Sequence, residues 1–224
     1  MRRIFGWLLL AIFLIPSWSM AAPVAEVDLK MSYSSPTGKV TFPGPVTGTY
    51  YLDYDAELTW DGTTHSLEIF CVENVPGTTA NVPYQLYTLD SLGDIGLDSE
   101  KYLTAAWIAE QYYDQPDNQD YWKAMAQIAI WEVIFDFGSA SGLDVTTGSF
   151  RSHTYTQAPQ AILAGLPASI PSSSLWLLAV NPDFQNYLVR NPAPVPEPAS
   201  MLLFATGLAG LAGFRRRQRR LPTS

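Results

Sequence analysis

One cysteine, Cys71, occurs in the 224 residues of the chain, and histidine is nearly as scarce, with His65 and His153 alone. A lone cysteine excludes an internal disulfide, and so few sulfur and imidazole donors leave no thiolate-rich or histidine-rich metal site. No metal and no cofactor are expected. Basic residues are also missing from the middle of the chain. Arg2 and Arg3 at the start and Arg215, Arg216, Arg217, Arg219 and Arg220 near the end take seven of the 13, leaving six in the central domain against 20 acidic residues there, the remaining one being Glu197 of the spacer. Such a field repels phosphate backbones and anionic bilayers, which excludes nucleic acid as a partner. Aromatic residues, by contrast, are plentiful: 7 Trp, 12 Tyr and 10 Phe can furnish a large buried core.

The two ends read as addresses. Residues 1–22 have the three parts of a secretory signal: Arg2-Arg3, the apolar run Leu8 to Ile15, and the small-x-small sequence Ser19-Met20-Ala21. Residues 191–198 carry Pro192, Pro194, Pro196 and Pro198, an extended spacer without helix or sheet potential. Residues 199–214 are uncharged and rich in Leu, Ala and Gly; as a helix they would span roughly 24 Å against a bilayer core of about 30 Å. The arginines of the tail, 215–224, would hold that end in the cytoplasm. A transmembrane helix serving as a permanent anchor is one reading of this stretch.

Val195-Pro196-Glu197-Pro198-Ala199-Ser200, the short apolar segment and Arg215-Arg216-Arg217 together resemble the PEP-CTERM sorting signal. That resemblance implies a Gram-negative bacterium, and a protein tethered to the inner membrane by its C-terminal helix until an exosortase acts near Pro196, Glu197 and Pro198. The product would then reside at the cell surface or in the extracellular matrix.

Residues 23–190 form the remaining domain. Val24 to Ser34, Val46 to Trp60 and Ser66 to Val75 alternate in the manner of strands, with Pro and Gly between them. In the third, Leu67, Ile69 and Cys71 share one face and Phe70 and Val72 the other. Ser99 to Tyr113, with Ser99 as cap, and Tyr121 to Phe135 have helical spacing; the second is apolar nearly all round and so expected to be buried. Strand is expected again over Thr146 to Thr156 and Phe184 to Val189, and a helical or irregular piece over Ala158 to Leu166. The expected class is α+β: a β-sandwich or barrel-like sheet with an inserted helical pair.

Two residues stand out chemically. Cys71 sits among core residues, where it is either an inert thiol or a nucleophile. Gln127 is the neutral polar residue of an apolar helix, on one face with Ile130, Trp131 and Ile134. It is either a core amide that pins helix to strand or the acyl half of a thioester with Cys71. The second role needs enforced proximity, donors on the amide oxygen and a proton for the departing ammonia, for which Glu73 and Glu132 are candidates. A Cys71/His153 pair would instead suit a hydrolase. Asp114, Asp117, Asn118 and Asp120 form an oxygen-rich loop without calcium-loop spacing, read as a solvated helix connection, and Tyr84, Tyr87, Tyr112 and Tyr113 are read as core or interface residues before sugar-stacking ones.

Phe70-Cys71-Val72-Glu73, then Tyr102 to Ile108, then Gln127-Ile128-Ala129-Ile130-Trp131-Glu132 resemble the thioester domain of bacterial surface adhesins. Members of that family usually have Thr before the Gln, where this chain has Ala126. The resemblance implies a Cys71–Gln127 cross-link, with Glu73 and Trp131 as framework residues. It further implies covalent capture of an amine or hydroxyl on a surface or matrix macromolecule, a single-use reaction and not an enzyme's. The competing expectation is a structural protein that binds exopolysaccharide without covalent chemistry.

Overall fold

The computed structural model describes residues 22–192 apart from Pro45, Pro76 and Ser141. The expected signal segment up to Ala21, the sorting motif Pro196-Glu197-Pro198 and the apolar stretch 199–214 lie outside the described residues. Among the described residues no helix is long and apolar enough to cross a membrane.

Among the described residues, seven strands and three α-helices follow one another as β1 (Ala25–Phe42), β2 (Val46–Trp60), β3 (Thr63–Cys71), β4 (Val82–Thr88), α1 (Ser99–Tyr112), α2 (Gln119–Asp136), β5 (Arg151–Ser152), α3 (Gln157–Ala164), β6 (Trp176–Val180) and β7 (Tyr187–Arg190), with a 3-10 helix over Leu89–Ile95 between β4 and α1. All strand pairs are antiparallel, in the order β2-β3-β7-β6-β4-β1-β5. β1 also pairs with β2 along most of its length, so six strands close into a ring with β5 attached outside it. Of the two sheet forms the sequence allows, the barrel-like one is therefore present. Closure removes the exposed edges that an open sheet would offer to other chains.

The β2–β3 hairpin turns on Asp61-Gly62, both in the left-handed region (φ 49° and 74°), as a two-residue loop between right-twisting strands requires. α1 and α2 are inserted between β4 and β6, which are themselves neighbours in the sheet. α2 packs against β1, β2 and β3 on one side and α1 and α3 on others. That surrounds the helix and accounts for its apolar periphery: every residue from Lys123 to Ile134 is buried.

Four expectations need correction. β3 ends at Cys71 and not at Val75, because Glu73 bonds to Asn186 through its carboxylate in place of a backbone ladder. Over 146–156 only Arg151–Ser152 is strand. The Asp136 carboxylate accepts from Ser149 N and Phe150 N, and Asp144 accepts from Thr146, so side chains take the backbone donors a ladder would use. The cap of α1 is Asp98, which accepts from Glu100 N and Lys101 N; Ser99 Oγ instead accepts from Gly93 N. Finally β4 and β6 had no expected counterpart. Pro83 interrupts the strand pattern of the first, and the second is an unbroken apolar run that periodicity cannot assign.

The far end of α2 carries a pH-sensitive carboxyl. Glu132 is fully buried and accepts from Asp144 N at 2.7 Å. Burial pushes its pKa up from 4.5 to about 7; the Asp144 bond pulls it down and the charges of Asp136 and Asp144 push it up further. A carboxyl raised in the folded state adds stability that is complete below its unfolded pKa and lost as pH rises through the folded one. The window here is pH 4.5 to about 7. Glu132→Gln keeps an oxygen for Asp144 N and carries no charge. We expect the variant to be more stable than wild type above pH 7 by about 2–3 kcal/mol and near-equal at pH 4, in urea titrations at the two pH values.

Candidate functional site

Cys71 is the last residue of β3, paired with Tyr187 of β7 on one side. On the other side β2 pairs with β3 only as far as Tyr54 opposite Ile69, so the Cys71 backbone would be left without a neighbour there. The Gln127 amide takes that place. Cys71 N donates to Gln127 Oε1 at 2.9 Å, and Gln127 Nε2 donates to the Cys71 carbonyl at 2.9 Å. Both residues are wholly buried. A side-chain amide thus completes a strand ladder, which explains why a polar residue is tolerated on an apolar helix: each unmet backbone group would cost about 1–3 kcal/mol.

The same two bonds have a chemical consequence. They hold the Gln127 amide carbon beside the cysteine, and the Cys71 N–H lies on the oxygen that would bear charge if sulfur attacked that carbon. The Tyr54 hydroxyl, which donates to the Tyr51 carbonyl at 2.7 Å, lies beside the Cys71 thiol. Burial drives the thiol pKa well up, against the lowering effect of Tyr54. The sulfur is therefore held as a neutral thiol, and attack has to be coupled to proton transfer.

Tyr54 also lines a cleft of about 210 Å³ with Tyr50, Tyr51, Glu73, Trp131 and Gln185 among its walls. Tyr54 thus borders both the cleft and the buried sulfur. Trp131 is buried and packs edge-on against Phe42, its ring centroid 5.0 Å away. Glu73 lies two residues past Cys71, with its oxygens accepting from Asn186 N at 3.1 Å and Asn186 Nδ2 at 2.6 Å. Burial raises its pKa, and the two Asn186 bonds partly offset that.

Of the two carboxyls considered as proton donors, Glu73 borders the cleft, whereas Glu132 is turned to Asp144. The histidines are engaged elsewhere: His153 Nε2 is 2.8 Å from Thr41 Oγ1, and His65 sits opposite Leu58 in the β2–β3 hairpin. The Cys71/His153 pair therefore has no geometry to act through. Tyr84 and Tyr87 are buried, which removes them as sugar-stacking surfaces. Among the described residues no group of three or more His, Cys, Asp or Glu could hold a metal ion. Tyr54 and Asn186 were not anticipated as site residues. Tyr54 reads in sequence as one more apolar member of an alternating strand, and only the fold brings Asn186 to Glu73.

Residues 194–217 match the family model of the PEP-CTERM protein-sorting motif. No curated protein matches the chain, and no solved structure matches it. The C-terminus thus carries the signal of an exported protein that is membrane-anchored before exosortase processing.

Proposed function

We propose that this exported domain is a single-use covalent capture module, in which Cys71 and Gln127 form an internal thioester that an amine on a surface or matrix partner opens. The observation that carries the reading is the double hydrogen bond between the Gln127 amide and the Cys71 backbone. Thiol and amide give thioester and ammonia, with the thiol proton leaving on the amide nitrogen, so no outside reactant is needed. In capture, the partner amine joins the Gln127 acyl carbon and the proton it gives up restores the Cys71 thiol. The aromatic cleft beside Tyr54 is the route by which an amine side chain reaches the bond, and Glu73 lines that route. Because the product is a stable amide, the module does not turn over and is not an enzyme.

After sorting, the domain would act at the cell surface or in the extracellular matrix of a Gram-negative cell. The test is incubation of the purified protein with an amine-rich polypeptide followed by a denaturing gel. Wild type is expected to form a conjugate that survives denaturation, and Cys71→Ala none. Equal conjugate in both would exclude Cys71, and conjugate in neither would leave the non-covalent matrix-binding role in its place.

A further inference from the structure

The large hydrophobic side chains left in water gather at the cleft that Tyr54 borders. Five are exposed among the described residues, and three of them, Tyr33, Tyr51 and Val75, line this cleft. Clustered apolar exposure of this kind, unlike scattered single residues, marks an interaction surface. Tyr33 of β1 and Tyr51 of β2 are 45% and 41% exposed, with ring centroids 4.3 Å apart and planes tilted by 32°. They form an open aromatic shelf. It is tied to the buried site, because the Tyr51 carbonyl accepts from the Tyr54 hydroxyl beside the Cys71 sulfur.

The walls behind the shelf suit a guest that is uncharged where it docks. Glu73 is the one carboxyl among them; both its oxygens accept from Asn186, and burial raises its pKa. Trp131 is also a wall residue, and its Nε1 is buried without a hydrogen-bond partner. An unpaired buried N–H costs about 1–3 kcal/mol, so a guest that brings an oxygen gains by it. The volume of about 210 Å³ lies below the roughly 300–1,000 Å³ of a drug-sized site, so one ring fits and a folded polymer does not. Aromatic faces with few fixed polar groups match a pyranose, whose C–H face meets the rings while its hydroxyls stay at the edge. Around the cleft the field is acidic, six basic residues against 20 acidic ones in the central domain, and it draws cationic polymers.

From these observations we infer that the guest is an amine-bearing polysaccharide, one amino-sugar ring of which stacks on Tyr33 and Tyr51 and presents its nitrogen to the Gln127 acyl carbon. The joining step rests on the thioester reading; the docking of the sugar does not. In that step the amino-sugar nitrogen bonds to the acyl carbon, the C–S bond breaks, and the proton leaving nitrogen goes to the Cys71 sulfur. Amine and thioester become amide and thiol. A lysine amine, with a pKa of about 10.4, is ammonium at neutral pH and would have to lose its proton where the one carboxyl is already engaged by Asn186. An amino-sugar amine is less basic, because neighbouring ring oxygens withdraw electrons from it, so more of it is already nucleophilic. Its polymer still carries enough positive charge to be drawn to the acidic domain.

The test uses the full chain in two forms at about 0.15 M salt. Cys71→Ala, which cannot join, is titrated calorimetrically with a glucosamine oligosaccharide, its fully N-acetylated form and a lysine oligopeptide of equal length. Both sugars are expected to bind, and the oligopeptide more weakly. Adding Tyr51→Ala should weaken both sugars about 10-fold, and Tyr51→Phe, which keeps the ring, should not. Wild type is then followed by release of the Cys71 thiol. The glucosamine oligosaccharide should free it about 10-fold faster than the oligopeptide at equal amine concentration, and the N-acetylated form should free none. No sugar binding to Cys71→Ala, or binding that neither Tyr33→Ala nor Tyr51→Ala weakens, would overturn the inference. So would an oligopeptide that binds and reacts as well as the sugar, which would assign the cleft to protein partners. Methylamine separates the two readings: if it frees no thiol from wild type the thioester fails, while the sugar titrations still decide the docking.

Discussion

Replacing Gln127 by Ala is expected to lower the stability of the domain by about 3 kcal/mol or more. The side chain satisfies both backbone groups of Cys71 at a position wholly shielded from water. Each orphaned group costs about 1–3 kcal/mol, and the lost atoms leave a cavity between β3 and α2 that adds about 1 kcal/mol or more. Comparing Gln127→Ala with wild type and again within a Cys71→Ala background separates two contributions. In that background no thioester can form, so the loss there is the hydrogen bonds and the cavity alone. Any larger loss in the Cys71 background is the covalent link. Guanidinium titrations of the four proteins read both; a loss under about 1 kcal/mol in either background would mean that the amide does not hold the Cys71 backbone.

Lys123→Met is the second large effect. It removes the positive charge around which Asp53, Glu68 and Asp55 are gathered, at 2.6, 3.5 and 3.6 Å. Breaking a buried pair from one side costs about 3–5 kcal/mol, because the remaining charge is stranded. The pH dependence gives the sign. Glu68 is already raised by burial, and losing Lys123 removes the charge that pulls it down. Its folded pKa moves further above the unfolded one, so the variant is least destabilised at acid pH and progressively more so as pH rises. Unfolding midpoints should therefore separate widely at pH 8 and draw together near pH 4. Parallel curves across that range would show that the carboxylates are hydrated in the folded state.

The site was legible in sequence to the extent that its chemistry is local. Cys71 and Gln127 announce themselves by rarity, one as the sole cysteine and the other as an amide on an apolar helix. α1 and α2 also lie within two residues of the expected spans, because their spacing is strongly periodic. Partners supplied by long-range topology were not readable. Tyr54 meets Cys71 because β2 and β3 pair in one register, and Asn186 meets Glu73 because β7 returns beside β3. Nothing in the residues around Tyr54 marks its hydroxyl for a sulfur seventeen positions away. β4 and β6 were hidden by a proline and by an unbroken apolar run, yet they close the ring. The Lys123 cluster has the same origin: its four charged members come from α2, β2 and β3, each an ordinary surface residue when read alone.

The most direct measurement is the mass of the purified, denatured protein before and after methylamine, with Cys71 titrated in parallel. The account predicts no titratable thiol at first, then a gain of one methylamine on Gln127 together with one free thiol at Cys71. Cys71→Ala should show neither change. A wild-type protein whose Cys71 titrates fully from the outset, and whose mass methylamine leaves unaltered, would contradict the thioester and leave the Gln127 amide as a structural pin for β3.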